Sequence, residues 1–166
     1  MVTSPAGATN CFVCDKHAQE EAVEGGIIWA DELVYAGHCH LLEQPDIHLG
    51  WLVAEPKRHV PGLEDLTTDE AAALGILITR LAGALRATEG AEHIYSFVFG
   101  DGLARGHLHV HLMPRYPGTP REYWQKRVVE WPGGPRGGVD EMRAVSQRIR
   151  AHLILTDPTP RSASCQ

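Results

Sequence analysis

Three histidines alternate with apolar residues in the stretch Gly106-His107-Leu108-His109-Val110-His111-Leu112-Met113-Pro114-Arg115. Successive side chains of a β-strand point to opposite faces. The spacing predicts a strand that lines His107, His109 and His111 on one face and turns Leu108, Val110 and Leu112 toward a core. Imidazoles two residues apart stand about 7 Å apart along a strand, so they can act on one substrate group or one metal ion. A single strand histidine is commonly just a half-buried polar residue; three in strict alternation point to chemistry. A neutral imidazole nitrogen can attack a phosphorus centre bearing a good leaving group, splitting one difficult displacement into two through a covalent intermediate. Cys11-Phe12-Val13-Cys14 is the second chemically suggestive set. Cys-x-x-Cys offers two thiolates from one tight turn, which is half of a tetrahedral zinc site.

The run His107-Leu-His109-Val-His111-Leu-Met resembles the signature of the histidine triad (HIT) family, and the Pro114-Arg115 that follows also occurs in many members. The resemblance reaches from Cys11 to Arg115, about two thirds of the chain. Members are nucleotide hydrolases and transferases that act on the α-phosphate of dinucleoside polyphosphates, nucleoside phosphoramidates and aminoacyl adenylates. The resemblance implies that His109 is the nucleophile, its other ring nitrogen held by a hydrogen bond that fixes the tautomer. It implies that His111 contacts the phosphate oxygens and stabilises developing negative charge. Glu43 falls where members commonly carry an Asp that bonds the ribose hydroxyls. Zinc-bearing members complete their Cys-x-x-Cys with the histidine of a Pro-Lys-x-His segment and the first triad histidine. Here those are Pro56-Lys57-Arg58-His59 and His107, so Cys11, Cys14, His59 and His107 are the expected ligands of a structural zinc ion. His17 is an alternative fourth ligand, or else a solvent-exposed side chain.

The chain departs from the family pattern in two places. Gly50-Trp51 stands where many members have Gly-His, a histidine thought to assist proton transfer to the leaving group. Tryptophan cannot shuttle a proton, which leaves His48 or His40 to supply the role, or the role dispensed with. Before the triad, members carry a loop whose amides and hydroxyl cradle the α-phosphate. Here the loop is only Gly100-Asp101-Gly102-Leu103-Ala104-Arg105-Gly106. Arg105 could replace the missing groups with a bidentate phosphate contact, or be a solvated loop arginine. After the triad, Arg115, Arg121, Lys126, Arg127 and Arg136 are interleaved with Tyr123, Trp124 and Trp131. Such a mixture can clamp a polyphosphate or stack on a base, and a plain solvated surface explains it equally well. Trp131-Pro132-Gly133 is faintly similar to the tryptophan that, in one branch of the family, reaches the partner subunit's site.

The elements that must position these residues follow from patterning. Ile27–Trp29 and Leu33–Tyr35 read as a hairpin, His38–Leu42 as a possible further strand, and Leu49–Ala54 as a buried strand ended by Pro56. Thr67-Thr68-Asp69-Glu70 has the capping-box pattern. Leu74, Leu77, Ile78, Leu81 and Leu85 recur at helical spacing after it, up to a stop near Gly90. Ile94–Phe99 is the strand before the triad. Pro114–Gly138 is irregular, and Val139–Leu153 is a second amphipathic helix. The predicted class is α+β, an antiparallel sheet with a long helix packed on it and a C-terminal helix, HIT-like. A loose N-terminus (1–10) and a loose tail (156–166) flank one domain spanning 11–155.

Length and composition fit that reading. With 166 residues, 43% hydrophobic and 22% charged, the chain has the profile of one ordinary globular domain. The formal net charge of −6 argues against a nonspecific nucleic-acid partner. No apolar run suggests a membrane span, and Met1 to Asn10 lacks the marks of a signal peptide, so the expected location is cytoplasmic. Four cysteines without an export signal read as ligands or free thiols rather than disulfides. The leading expectation is a homodimeric HIT-type nucleotide hydrolase or nucleotidyltransferase. Two alternatives remain: a triad ligating a catalytic metal with an open water position, and a nucleotide-binding protein without turnover.

Overall fold

A computed structural model describes residues 11–18, 23–41, 43–99 and 106–157. Residues 1–10, most of the expected tail and the loop 100–105 with Arg105 lie outside the described residues. In chain order the elements are helix α1 (Phe12–Ala18) and strands β1 (Ile27–Ala30), β2 (Val34–His38), β3 (Ile47–His48) and β4 (Leu52–Pro56). Helix α2 (Thr68–Glu89), strands β5 (His93–Val98), β6 (Val110–Arg115) and β7 (Arg136–Gly137), and helix α3 (Val139–Leu155) follow. Five strands form one antiparallel sheet in the order β1-β2-β4-β6-β5. The α+β class is the one the patterning predicts.

Helix α2 begins where its capping box predicts. Thr67 Oγ1 accepts the N–H of Glu70, and the Glu70 carboxylate accepts the N–H of Thr67 at 2.9 Å. It ends at Gly90, whose φ of 72° closes the helix in the left-handed region. Leu74, Leu77, Leu81, Ala84 and Leu85 bury one stripe against Leu52, Ala54, Val110 and Leu112 of the sheet. Each such leucine contributes about 1.5–3 kcal/mol of hydrophobic stabilisation. By length and composition α2 is apolar enough to cross a membrane, which the sequence reading did not anticipate. Its buried stripe is that of a helix packed on a sheet. Helix α3 lies beside α2 and adds Val145, Ile149 and Leu153 to the same core.

Several boundaries differ from expectation. No strand spans residues 38–41. Strand β2 stops at His38, whose ring bonds to the backbone at Cys39 and Gly50 and turns the chain out of the ladder. Strand β4 runs through Pro56, tolerated because Pro56 pairs with Val34 at the very end of the ladder. The triad strand begins only at Val110; residues 107–109 approach it as extended chain anchored by the Leu108 N–H to the Val60 carbonyl. The stretch expected to be irregular contains two short 3-10 helices, Arg121–Tyr123 and Gln125–Glu130, and then β7. That strand pairs with β3 in a two-stranded sheet.

Candidate active site and metal centre

One face of the central sheet carries the chemistry, because α2 and α3 cover the other. On β6, His111 lies opposite Val53 of β4 and Phe97 of β5, while Leu112 lies opposite Leu52 and is fully buried. Alternation therefore sends His111 to the face away from the helices, as the spacing predicted. The ring of His109 sits beside it, with centroids 4.8 Å apart and planes nearly perpendicular. His109 is half-buried, and His111 is 8% exposed.

Hydrogen bonds fix which nitrogen of each ring carries the proton. His109 Nδ1 lies 3.0 Å from the carbonyl of His107. A carbonyl can only accept, so Nδ1 carries the hydrogen and Nε2 of the neutral ring keeps its lone pair. For His111 the polarity is reversed. Indole Nε1 of Trp51 donates to His111 Nδ1 at 2.9 Å. Indole can only donate, so the neutral His111 ring carries its hydrogen on Nε2. The two rings thus offer one bare nitrogen and one N–H side by side. Burial, together with the neighbouring His109, pulls the His111 pKa down to about 4 and keeps that ring neutral.

His107 goes elsewhere. Its Nδ1 lies 3.6 Å from Cys11 Sγ and 3.4 Å from Cys14 Sγ, and His59 Nδ1 lies 3.4 Å from Cys14 Sγ. All four ligand atoms fall within 4.8 Å of one another. A tetrahedral ion with metal–sulfur bonds of about 2.3 Å and metal–nitrogen bonds of about 2.0–2.1 Å would set S···N separations near 3.5 Å. The donor set fits zinc in type, number and spacing. His107 Nε2 donates to the Pro56 carbonyl at 2.8 Å, the outer contact that leaves Nδ1 free to ligate. Burial holds this ring neutral, with its pKa near 4. Burial and the adjacent Cys11 push the Cys14 thiol up to about 11, the crowding a bound cation would relieve. His109 and His111 stand outside this cluster.

A buried network that the sequence reading missed joins α1 to the same sheet face. Glu55 on β4, 2% exposed, accepts from Lys16 Nζ and from His17 Nε2 at 2.9 Å. Burial opposes its ionisation, but the hydrogen bond from His17 and the Lys16 ammonium prevail and bring its pKa to about 2. Lys16 also sits 4.7 Å over the ring of Tyr35, the cross-strand neighbour of Glu55. His17 is therefore not exposed but part of this network, and it stands outside the four-residue cluster. The available signal was a glutamate inside an otherwise apolar strand.

The remaining candidates are placed as follows. Glu43 is exposed and adopts φ of 68°, a left-handed conformation that is costly for a residue with a Cβ. His48 is fully buried and donates to the Pro114 carbonyl, and its ring packs near Tyr116. It has no contact with the triad rings. His40 packs edge-on against Phe12 beside Glu24. Trp131 packs on the core and lines a cavity of about 330 Å³ with Leu49, Tyr116 and Arg148, on the helix side of the sheet. Trp124 is stacked by Arg115 at 4.2 Å.

No family model matches the chain, and no curated protein matches it. Solved structures do. A Zn-bound histidine triad family protein from Mycobacterium smegmatis is 20% identical over 91% of this chain and 98% of its own, with a TM-score of 0.63. A hypothetical histidine triad nucleotide-binding protein from Sulfolobus tokodaii strain7 is 19% identical over 87% and 93%, with a TM-score of 0.64. A HIT-like protein involved in cell-cycle regulation from Bartonella henselae is 20% identical over 89% and 100%, with a TM-score of 0.61.

Proposed function

We propose, for a chain with the histidine triad fold, that it is a nucleotide hydrolase or nucleotidyltransferase acting at an α-phosphorus through His109. The carrying observation is the bond from His109 Nδ1 to the His107 carbonyl, which places the hydrogen of the neutral, half-buried ring on Nδ1 and its lone pair on Nε2. Nε2 attacks the phosphorus, the bond to the leaving group breaks, and a nucleotidyl-imidazole forms. Water or a second acceptor then displaces His109. His111 Nε2–H donates to a phosphoryl oxygen as charge builds. Glu43 is assigned to the ribose hydroxyls and Arg105 to the phosphates.

Cys11, Cys14, His59 and His107 are assigned to a structural zinc ion. All four positions of a tetrahedral ion would be filled by protein, so the ion would hold the fold and leave no open site for water. The Zn-bound relative of the same fold supports this reading. The protein is further proposed to be a cytoplasmic homodimer with no nucleic-acid or membrane partner. Strand β5, an edge of the sheet among the described residues, with Val98 43% and the following Phe99 39% exposed, offers an open ladder and apolar surface to a second copy.

The test is labelling. Incubation with an adenylyl donor should yield an acid-labile adenylyl adduct, and His109→Ala should abolish it. Tight nucleotide binding with neither adduct nor product would favour a binding module instead.

A further inference from the structure

The cysteine–histidine cluster has an open side and a closed side. Cys14 is half-buried and His59 is exposed, whereas Cys11 and His107 are each 2% exposed. We propose that the cluster is an oxidative modification site. A peroxide attacks Sγ of Cys14, Cys11 resolves the product as a disulfide, and His107, released from both sulfurs, passes the change to His109. The inference rests on the zinc and His109 readings above and adds regulation to them.

Cys11 and Cys14 bracket the first turn of α1. The Asp15 N–H bonds to the Cys11 carbonyl at 3.0 Å and closes that turn, and side chains three residues apart share one face of it. The two sulfurs stand within 4.8 Å of each other, a Cys-x-x-Cys spacing at which thiol oxidoreductases form and break a disulfide. Both sulfurs are thiolates while they hold the ion, and the thiolate is the form an oxidant attacks. Attack falls on Cys14 because its side of the cluster meets solvent. Cys39 makes a contrast within the same chain: desolvation pushes its thiol up to about 12, so it stays protonated at neutral pH.

A disulfide sulfur offers a cation no negative charge, so one oxidation removes two of the four ligands. His107 then keeps its outer bond from Nε2 to the Pro56 carbonyl but loses its partners at Nδ1. The carbonyl of that same residue is the acceptor that sets the His109 tautomer, at 3.0 Å. Helix α1 has a second tether in Lys16 and His17 on Glu55, so reduction can restore the cluster without refolding the chain.

The Cys14 thiolate attacks one oxygen of hydrogen peroxide, the O–O bond breaks and hydroxide departs, leaving a sulfenic acid. The Cys11 thiolate attacks that sulfur and expels a second hydroxide as the S–S bond forms. Two electrons pass from the sulfur pair to peroxide, the hydroxides take protons from solvent, and the cation is released.

The test uses the full-length protein isolated with its zinc, in a Cys39→Ser/Cys165→Ser background that leaves Cys11 and Cys14 as the remaining cysteines. Hydrogen peroxide should remove two hydrogens from the peptide carrying them and release an equal amount of zinc to a colorimetric chelator. It should also slow formation of the His109 adduct about tenfold or more. Dithiothreitol followed by zinc should restore all three. In Cys11→Ser a sulfenic-acid probe should label Cys14, and in Cys14→Ser the buried Cys11 should react at least about tenfold more slowly. Zinc-loaded protein that meets peroxide without change of mass overturns this proposal and leaves the zinc reading standing. So does a disulfide with released zinc and an unchanged adduct rate. Protein that takes up no zinc overturns the zinc reading and this proposal with it. Absence of any adduct before treatment overturns the covalent reading and, with it, the coupling to His109.

Discussion

Nε2 of His38 accepts the backbone N–H of Gly50 at 3.0 Å, and the same ring donates its Nδ1–H to the carbonyl of Cys39. Both bonds require a neutral imidazole with its proton on Nδ1. They hold the turn that delivers Trp51 to His111.

A pH dependence of stability follows. His38 is 1% exposed, and burial pulls its pKa from 6.5 to about 4. The unfolded chain takes up a proton near pH 6.5, whereas the native ring resists it down to about 4. Stability conferred by the neutral ring is full above pH 6.5 and is lost as pH falls toward 4, a loss of about 3 kcal/mol. Denaturant titrations from pH 7.5 to 4 should show this slope. His38→Gln, which has an acceptor but no proton to gain, should flatten it by up to about 1.4 kcal/mol per pH unit.

Gly50 itself should tolerate no side chain. Its φ is 81°, and a Cβ there would stand 2.6 Å from Tyr116 Oη and 3.1 Å from Pro114. Gly50→Ala should cost about 2–4 kcal/mol, strain and overpacking together, measured as a fall in the urea midpoint. An unchanged midpoint would mean that the turn relaxes freely.

The Glu55 network should be asymmetric to mutation. Glu55→Ala strands the Lys16 ammonium in a buried site and should cost about 3–5 kcal/mol. The double variant Lys16→Met with Glu55→Leu should recover most of that loss, because an apolar pair needs no charge compensation. A double-mutant cycle by chemical denaturation measures the coupling.

If zinc occupies the proposed site, its removal should act on the fold first. Chelation, or His59→Ala, should lower the thermal midpoint and abolish the His109 adduct together, since the segment from Pro56 to His59 and helix α1 lose their common anchor. Loss of activity with an unchanged midpoint would instead indicate a catalytic ion.

The sequence makes the sheet face legible because alternation is a local property. His109 and His111 part from Leu108, Val110 and Leu112 on spacing alone, and Thr67 with Glu70 starts α2 where their pattern says. The contacts that set chemical states are not local. Trp51 lies 60 residues from His111, and its indole takes on meaning only when β4 and β6 pair. Nothing in the local pattern ties Lys16 and His17 to Glu55, 38 or more residues away, until α1 is laid over β4. The strand expected at His38–Leu42 fails because the His38 side chain competes with the ladder for backbone partners, a competition that apolar patterning does not register.

His107 gives its ring to the cysteines and its carbonyl to His109. The two duties share one residue, a single apolar step from the proposed nucleophile His109. Inserting or deleting one residue between 107 and 109 would invert everything downstream and sever the cysteine–histidine cluster from the His109–His111 pair in a single event.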